Sequence, residues 1–517
     1  MLPPGLFRWL AAMPGAHVGP VRVGPSECGM GGGLYLTERV SDGDLLFAVP
    51  HSAVMSVEAA FADPRLGTGL AALSESDGDR AALAGFVASK LLASDARSPY
   101  LATLPARSAV DPQHMLWWGR DEVSLLEGTG AHRECLRLRE EVDEVAVTLS
   151  GDTLQSDVGR CGQQAVDEAV RAAYVSILSR AFTIDAGGAG VGAGAPALIP
   201  LLDTMQHSAH ATVRYSYGEG RRVEVFAVGG HAAGAEMTIC YGTHPDMVFG
   251  AHYGFVPAAQ AASCYTVLRL NEATALTARQ VSHHLSTLAT RLSPASRPRS
   301  LPQLSDLPPE SPSIAPLLFE SARSGRQVDA ALFGIGAGRV LDAQRAAETQ
   351  ANDDRWTDER VRATPFAALA GVLAFAGTAA EYPLEFGVSV DDLAAAGSPA
   401  LRTLCICARL CALPDDGSGS GSTRDQTAAA LSEMLLSDTF QSVRCDEAGA
   451  AALVVAAAQR QMRLLKRGGE KTADASSQPE SLRPDCVRMA AALRRSEAVV
   501  LRRLCSSAYV VTLFNGL

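Results

Sequence analysis

The stretch LLDTMQHSAHA, residues 201–211, places an apolar run directly before an acid, an amide and two imidazoles: Asp203, Gln206, His207 and His210. These residue types could form a metal site, a general base or a cofactor-binding corner. Two histidines three residues apart share one face of a helix, but the flanking segments LIPLLD and TVRYSY look extended. A strand sends residues i and i+3 to opposite faces, so a turn that closes the strand is favoured over a paired metal site.

Two further stretches carry residue types that could bind or react. The segment IDAGGAGVGAG, residues 184–194, resembles a phosphate-binding glycine loop, but a helix pattern precedes it and an apolar strand pattern follows it. A phosphate-binding loop needs the reverse order, so a connecting loop is favoured. The segment ICYG ends an apolar strand with Tyr241, which taken alone is typical of a core tyrosine whose hydroxyl reaches solvent.

The elements that must position these residues alternate between strands and helices. Residues 20–56 contain β-type segments separated by glycine and by the turn SDGD, and residues 211–228 predict a hairpin that the strand EMTICYG follows. Between these regions, apolar residues three and four apart predict helices from Asp79 onward. After Pro257 helical patterns dominate, interrupted by a proline-rich linker or long loop at 293–316.

Length and composition indicate the class of protein. A chain of 517 residues predicts two or three domains, and 47% hydrophobic with 20% charged residues indicates a globular protein. The net charge of −11 argues against a general nucleic-acid binder. Eleven cysteines without a C-x-x-C pair favour reduced thiols, and the cluster Cys405, Cys407 and Cys411 is interpreted as part of an apolar helix instead of a zinc site.

Targeting signals and membrane spans are not expected. The first residues, MLPPGLFRWLAAMPGAHVG, have neither an uninterrupted apolar core nor a basic, serine-rich character, so neither a secretory signal nor a transit peptide is predicted. The uncharged segment 363–380 contains proline and glycine and is interpreted as a buried helix instead of a membrane span. We therefore expect an intracellular protein that is cytoplasmic, with a nuclear location left open.

Seven segments follow one another in an order that is typical of one enzyme family: GGGLYLTERVSDGDLLFAVP, SPYLATLP, LLEGTG, SRAF, LIPLLDTMQHS, EMTICYG and HYGFV. This order resembles SET-domain protein methyltransferases of the Rubisco large-subunit methyltransferase-like group over nearly the whole chain. The resemblance implies an α+β fold, with a β-rich SET domain at 1–256 that has a knot-like crossing and a helical insertion at about 79–178. It also implies an all-α domain at 257–517 that holds the substrate.

The resemblance implies that the chain transfers a methyl group from S-adenosyl-L-methionine to a lysine of a non-histone protein. Such an in-line displacement needs no metal ion, but it needs aligned reactants, exclusion of water and a neutral amine. A protein-histidine N-methyltransferase stays an alternative, as does a catalytically weak SET-fold module that binds protein. The expected partner is a protein substrate, with neither nucleic acid nor membrane, and the oligomeric state is left open.

The same resemblance implies roles for particular residues. Tyr241 would be the catalytic tyrosine that orients the amine and the methyl group, and Arg180 in SRAF would meet the cofactor carboxylate through its planar guanidinium. Ser179 and Asp203 would bind substrate. The backbone of the glycine loop would approach the cofactor where a larger side chain would collide. The further implied cofactor contacts are Met30, Gly31, Gly32, Gln206, His207 and Tyr253.

Two positions depart from the family pattern. Gln206 stands where the family has an asparagine whose amide meets the cofactor, and glutamine carries the same donor and acceptor one methylene further out. Either the backbone retreats to accommodate the longer side chain, or cofactor affinity falls. The segment YGTHPD, which begins at Tyr241, lacks the basic residue and the asparagine that many relatives carry after the tyrosine and glycine. Both departures bear on whether the chain is catalytic.

Overall fold

The structure is a computed structural model that describes residues 5–27, 31–93, 98–105, 114–184, 195–218, 221–242, 244–257, 264–269, 385–394, 401, 404, 405, 408, 447–477 and 482–516. Some features predicted from the sequence lie outside these residues: Met30, Cys407, Cys411, residues 185–194 of the glycine-rich segment, the proline-rich segment 293–316 and the apolar segment 363–380. The interpretations of these features therefore stay predictions.

Short strands dominate the amino-terminal half of the described chain. The strands are β1 His17–Val18, β2 Val21–Pro25, β3 Gly32–Leu36, β4 Leu45–Pro50, β5 Met55–Ser56, β6 Ala181–Ile184, β7 Ala195–Leu198, β8 Gln206–His207, β9 Val213–Gly218, β10 Arg222–Ala227 and β11 Glu236–Ile239. They form sheets with the strand orders β1–β4–β10–β9, β2–β3–β11–β8 and β5–β7–β6.

Two features of these sheets bear on the predicted site. The predicted hairpin is confirmed, since β10 pairs antiparallel with β9 from Arg222 opposite Gly218 to Ala227 opposite Val213. The predicted strand before Asp203 is wrong in part, because β7 ends at Leu198 and a 3₁₀ turn follows at Leu202–Thr204. Leu201 enters this turn with a φ of 69°, a conformation that interrupts an extended strand.

The segment between β5 and β6 is mainly helical. Its helices are α2 Val57–Phe61, α3 Gly67–Asp77, α4 Asp79–Leu92, α5 Arg120–Ser124, α6 Gly130–Gly151, α7 Gln155–Cys161 and α8 Gln163–Arg180, whereas α1 Leu6–Ala11 precedes the first strand. Apolar residues spaced three and four apart on α8 are buried, as their periodicity predicts: Val166, Val170, Tyr174 and Ile177. The Thr129 hydroxyl caps α6 by accepting the His132 amide proton.

The described part of the carboxyl-terminal half is mainly helical. After β11 come α9 Asp246–Val248, a π-helical turn Phe249–Tyr253, β12 Tyr265–Arg269, β13 Glu385–Ser389, α10 Val390–Ala394, α11 Glu447–Ser477, α12 Pro484–Leu504 and α13 Ser507–Gly516. The helices agree with the sequence pattern. The antiparallel pair β12–β13, with Tyr265 opposite Ser389, is an addition that the helical pattern did not predict.

Two apolar cores hold these elements together. The larger core joins the strands to the insertion helices, and the smaller core lies among β12, β13 and the last helices. Helix α12 contributes to both, through Cys486, Ala490 and Leu493 in the first and Val500, Leu501 and Leu504 in the second. None of the described helices is both long and apolar enough to cross a membrane. The domain boundary at residue 256 stays a prediction.

Candidate active site

Strands β8 and β11 end side by side and bring predicted site residues together. Gln206 pairs with Thr238, and His207 with Ile239, in a parallel register. Two residues beyond β11, the backbone N–H of Tyr241 donates to Nδ1 of His207 over 3.1 Å. The segment that contains Gln206 and His207 therefore runs beside the tyrosine strand, and it holds the tyrosine against the histidine.

The hydroxyl of Tyr241 is fixed by a second contact. It donates a hydrogen bond to the backbone carbonyl oxygen of Met205 over 2.6 Å. The side chain is half-buried. A phenol oxygen that donates its proton keeps lone pairs that can accept a hydrogen bond. Tyr241 thus presents an acceptor oxygen at the end of β11 in an orientation set by its own amide and hydroxyl.

Rings surround this tyrosine and form what we call the aromatic cluster: His207, Tyr241, Phe249, Tyr253 and Phe255. Tyr241 and Tyr253 stack with ring centroids 5.0 Å apart, and the His207 ring lies 4.9 Å from that of Phe249. Such rings present apolar surface that excludes water. Phe249 and Phe255 were not predicted as site residues, although Phe255 lies in the segment HYGFV and Phe249 stands four residues before Tyr253.

The imidazole of His207 is neutral near pH 7. Burial lowers its pKa, and the nearby His244 ring lowers it further. Since Nδ1 accepts the amide proton of Tyr241, the ring carries its own proton on Nε2. Protonation of Nδ1 would remove this hydrogen bond. The corner therefore gains no positive charge from His207.

The π-helical turn supplies Phe249 and Tyr253 to the aromatic cluster and is anchored on its other side. His252 in this turn is fully buried, and its Nε2 lies 2.7 Å from Oε1 of Glu134 on α6. Its backbone carbonyl oxygen lies 2.9 Å from Nε2 of His114. Since Glu134 and His114 both belong to the insertion, the insertion fixes the orientation of the two rings. π turns are rare and concentrate at functional sites.

A second polar group lies where α8 ends. Nη1 of Arg180 is 3.7 Å from Oδ2 of Asp203, and the Tyr100 hydroxyl donates to the same oxygen over 2.7 Å. Burial raises the pKa of Asp203, while the Arg180 guanidinium lowers it. Burial also raises the pKa of Tyr100 well above its usual value, so this phenol stays a donor. Tyr100, which lies in the segment SPYLATLP, was not predicted as a site residue.

Two atoms of this group have no hydrogen-bond partner within the described residues, namely Nη1 of Arg180 and Oδ1 of Asp203, and both are buried. Buried polar atoms normally have partners, so one donor and one acceptor are available to a polar ligand. The hydroxyl of Ser179, in contrast, donates to the carbonyl oxygen of Val175 in its own helix over 2.6 Å. The substrate roles of Ser179 and Asp203 stay predictions.

The glycine run Gly31–Gly33 at the start of β3 has one open position and one crowded position. Gly31 has a φ of 91°, and a Cβ atom there would meet no described atom within 4 Å. At Gly32 the nearest atom would be Cγ1 of Val23 at an ordinary 3.7 Å. At Gly33 a Cβ would lie 2.1 Å from Oε1 of Glu236. Of these three glycines, it is Gly33 whose Cβ would collide with described protein atoms, and Gly33 was not predicted as a site residue. The collision of a larger side chain with the cofactor stays a prediction.

Gln206 connects the glycine run to β8, the strand that carries His207. Its Nε2 donates to the carbonyl oxygen of Gly32 over 2.7 Å. The longer side chain is thereby accommodated on the protein backbone. An amide that the resemblance assigns to the cofactor thus has a partner within the chain itself.

Metal ligands do not converge in the described ranges, where no group of three or more His, Cys, Asp or Glu side chains could hold an ion. His207 faces Tyr241 and Phe249, whereas His210 is exposed in the loop after β8. Residues 203–207 instead join the Arg180 group directly to the aromatic cluster. The arrangement combines a buried donor and acceptor with a tyrosine oxygen in a ring-lined corner.

Solved structures of other proteins have a fold similar to that of this chain. No family model matches this chain, and no curated protein matches its sequence. Among solved structures it is similar to Rubisco LSMT bound to AdoMet, at 14% identity with a TM-score of 0.55, over 98% of this chain and 91% of that chain. The SET domain of LSMT bound to methyl-lysine and AdoHcy is similar at 14% identity with a TM-score of 0.50, over the same shares of the two chains. The chain thus has a β-rich SET-type fold with a helical insertion and a helical carboxyl-terminal region.

Proposed function

We propose that this chain is an S-adenosyl-L-methionine-dependent protein methyltransferase that acts on a lysine of a non-histone protein in the cytoplasm. The observation that carries the proposal is the corner in which the Tyr241 hydroxyl, held by Met205, lies among the rings of the aromatic cluster. The likeness in fold to Rubisco LSMT bound to AdoMet supports the choice of cofactor and of reaction class.

The residues present fit this cofactor. Arg180 has a buried Nη1 donor suited to a carboxylate. The open side of Gly31 leaves room for a ligand against the backbone. Together with Gln206 and His207, these residues would hold the cofactor. When bound, the cofactor supplies the electrophilic methyl group.

The chain itself must deliver a neutral amine. The aromatic cluster removes water from an incoming lysine, and desolvation lowers the amine pKa from its free value of about 10.4. The Tyr241 oxygen, whose proton is directed at Met205, accepts an N–H of the amine and aligns its lone pair. A neutral His207 adds no repulsion toward the substrate nitrogen.

One contact favours a second candidate function. The Gln206 amide donates to Gly32 within the protein, so it contributes less to a cofactor than the family's asparagine does. If cofactor affinity is lost, the chain would instead be a SET-fold module that binds a protein without methylating it. Gln206→Asn tests the second candidate. If this substitution raises cofactor affinity by less than about twofold, glutamine at position 206 is not what weakens cofactor binding.

Calorimetric titration of the whole chain with S-adenosyl-L-methionine is the first test. We expect a Kd of about 1–100 μM, and an increase of about 100-fold in Arg180→Ala. Arg214→Ala is the matched control, since Arg214 is exposed on β9 over the ring of Phe226. The absence of binding by the unmodified chain would support the binding module instead.

The identity of the methylated residue is a separate measurement. Incubation with labelled cofactor and fractionated cell proteins, followed by mass spectrometry, identifies the modified side chain. Methyl-lysine is the expected product. A methyl-imidazole product would replace the lysine proposal with protein-histidine methylation.

A further inference from the structure

A cavity of about 170 Å³ lies where the insertion meets the carboxyl-terminal helices, and its described lining includes no residue of the aromatic cluster. Its walls come from the first turn of α6 and the loop before it, and from one face of α11. One water molecule needs roughly 10–15 Å³ on this measure, so the cavity admits a polyatomic ion with accompanying water.

The two walls of the cavity, the loop before α6 and helix α11, are in direct contact. Nε2 of Gln461 on α11 donates to the carbonyl oxygen of Gly128 over 2.8 Å. Gly128 has a φ of 83°, and a Cβ atom there would lie 2.5 Å from the backbone oxygen of Leu464. Loop and helix therefore touch backbone to backbone, and the cavity is a feature of a tight junction.

The chemistry of the lining is basic. Arg133 enters from α6 and Arg460 from α11, with His132 beside them. The described residues that line the cavity include no carboxylate. Two guanidinium groups from different helices suit the planar, multidentate recognition of an oxyanion. This lining also contrasts with the chain as a whole, whose net charge is −11.

A buried acid at the start of α6 offsets this positive charge only in part. Glu497 on α12 is buried and accepts the Gly130 amide proton at the start of α6. Burial raises its pKa to about 7, although the Arg133 and Arg494 guanidinium groups act in the opposite direction. Near neutral pH a large share of Glu497 is therefore uncharged.

We propose that this cavity binds a phosphate-sized tetrahedral oxyanion through Arg133 and Arg460. The bound ion joins α6 of the insertion to α11 of the carboxyl-terminal region and stabilises their junction. The ion comes either from free phosphate or from a phosphate monoester, which share the same recognised group.

Thermal unfolding and calorimetry of the whole chain, with inorganic phosphate as the probe, test the proposal. Sodium chloride at matched ionic strength controls for screening. We expect a saturable rise in the unfolding temperature that chloride does not reproduce. Arg133→Gln and Arg460→Gln should each weaken phosphate binding about tenfold. Arg463→Gln, which removes an exposed arginine from the same helix, should leave it unchanged.

Two results would overturn the site. One is an unfolding temperature that responds to phosphate and chloride alike. The other is equal weakening by Arg463→Gln and Arg460→Gln. If a glutamine variant fails to fold, Arg460→Lys keeps the charge without the planar fork and should still weaken binding. Phosphoserine as a second probe distinguishes the sources, because comparable affinity identifies monoesters and binding of inorganic phosphate alone identifies the free ion.

Discussion

The hydroxyl of Tyr241 lies 2.6 Å from the carbonyl oxygen of Met205, although 36 residues separate the two in the chain. The contact depends on the parallel pairing of β8 with β11, which aligns the two chain segments. It directs the phenol proton toward the backbone and leaves the oxygen lone pairs as acceptors. The catalytic role proposed for Tyr241 depends on this orientation.

Replacement of Tyr241 by phenylalanine tests that role. Tyr241→Phe keeps the ring stacked on Tyr253 but removes the acceptor oxygen. We expect kcat/KM for methyl transfer to fall about 100-fold, with cofactor affinity by calorimetry nearly unchanged. Tyr215→Phe, at an exposed tyrosine of β9, is the control. A Tyr241→Phe enzyme with unchanged kcat/KM would remove Tyr241 from the chemistry.

The buried contact between Tyr100 and Asp203 supports stability as well as the site. Tyr100→Phe leaves a buried carboxylate without its hydroxyl donor, so we expect a loss of about 1–3 kcal/mol in the free energy of unfolding. Cofactor binding should weaken with it, because Asp203 also faces Arg180. Urea denaturation and calorimetry measure the two effects. Tyr174→Phe, at an equally buried tyrosine, is the matched control, and an equal loss in both variants would show that only packing is involved.

Two glycines with similar φ values differ in the space that is available to a Cβ atom. Gly128 and Gly162 have φ values of 83° and 87°, but a Cβ at Gly162 would meet no described atom within 4 Å. Gly162 has a ψ of 155°, a combination that is essentially restricted to glycine, so Gly162→Ala should cost about 1–3 kcal/mol of stability from backbone strain. Gly128→Ala should cost about 1–3 kcal/mol more, because its Cβ meets the backbone of Leu464. Equal urea midpoints for the two variants would contradict the tight junction at α11.

The pH dependence of stability should contain a contribution from His114. Burial lowers the pKa of His114 to about 3. Its Nδ1 accepts the Leu116 amide proton, so the Nε2 proton is donated to the carbonyl oxygen of His252. The unfolded chain binds a proton near pH 6.5 that the fold excludes, so this stability is complete above about pH 6.5 and is lost as pH falls toward 3.

Urea denaturation of His114→Gln measures this contribution. At about pH 5.5 the stability advantage of histidine over glutamine should be smaller than at about pH 7.5, by about 1.4 kcal/mol. The lowered pKa values of His207 and His252 are common to both chains and cancel in the difference. His210→Gln removes an exposed imidazole as a control. A difference between His114→Gln and the unmodified chain that does not vary with pH would contradict a buried, neutral His114.

Local pattern predicted the parts of the fold that depend on neighbouring residues. Alternation and the intervening turn predicted the β9–β10 hairpin, and apolar spacing predicted α4 and α8. The order of the segments predicted that Tyr241 and His207 belong to one corner. Such features are encoded over a few residues, or by the succession of motifs along the chain.

Long-range partners were not predictable in the same way. Tyr100 meets Asp203 across 103 residues, and His252 meets Glu134 across 118 residues. No period or motif connects such pairs, because tertiary packing alone brings them together. The pairing of β12 with β13 was missed for the same reason. Gly33 escaped notice because nothing in the run GGG distinguishes the glycine that faces Glu236.

Helix α12 contributes to both apolar cores, so we expect a piece of the chain that lacks it to be difficult to express. A piece that ends at residue 256 keeps every strand of the site but loses Cys486, Ala490 and Leu493, which fill part of the first core. The surface uncovered on such a piece is apolar, and truncated preparations should aggregate during purification. We therefore expect the regions before and after residue 256 to fold together, because α12 contributes side chains to both cores.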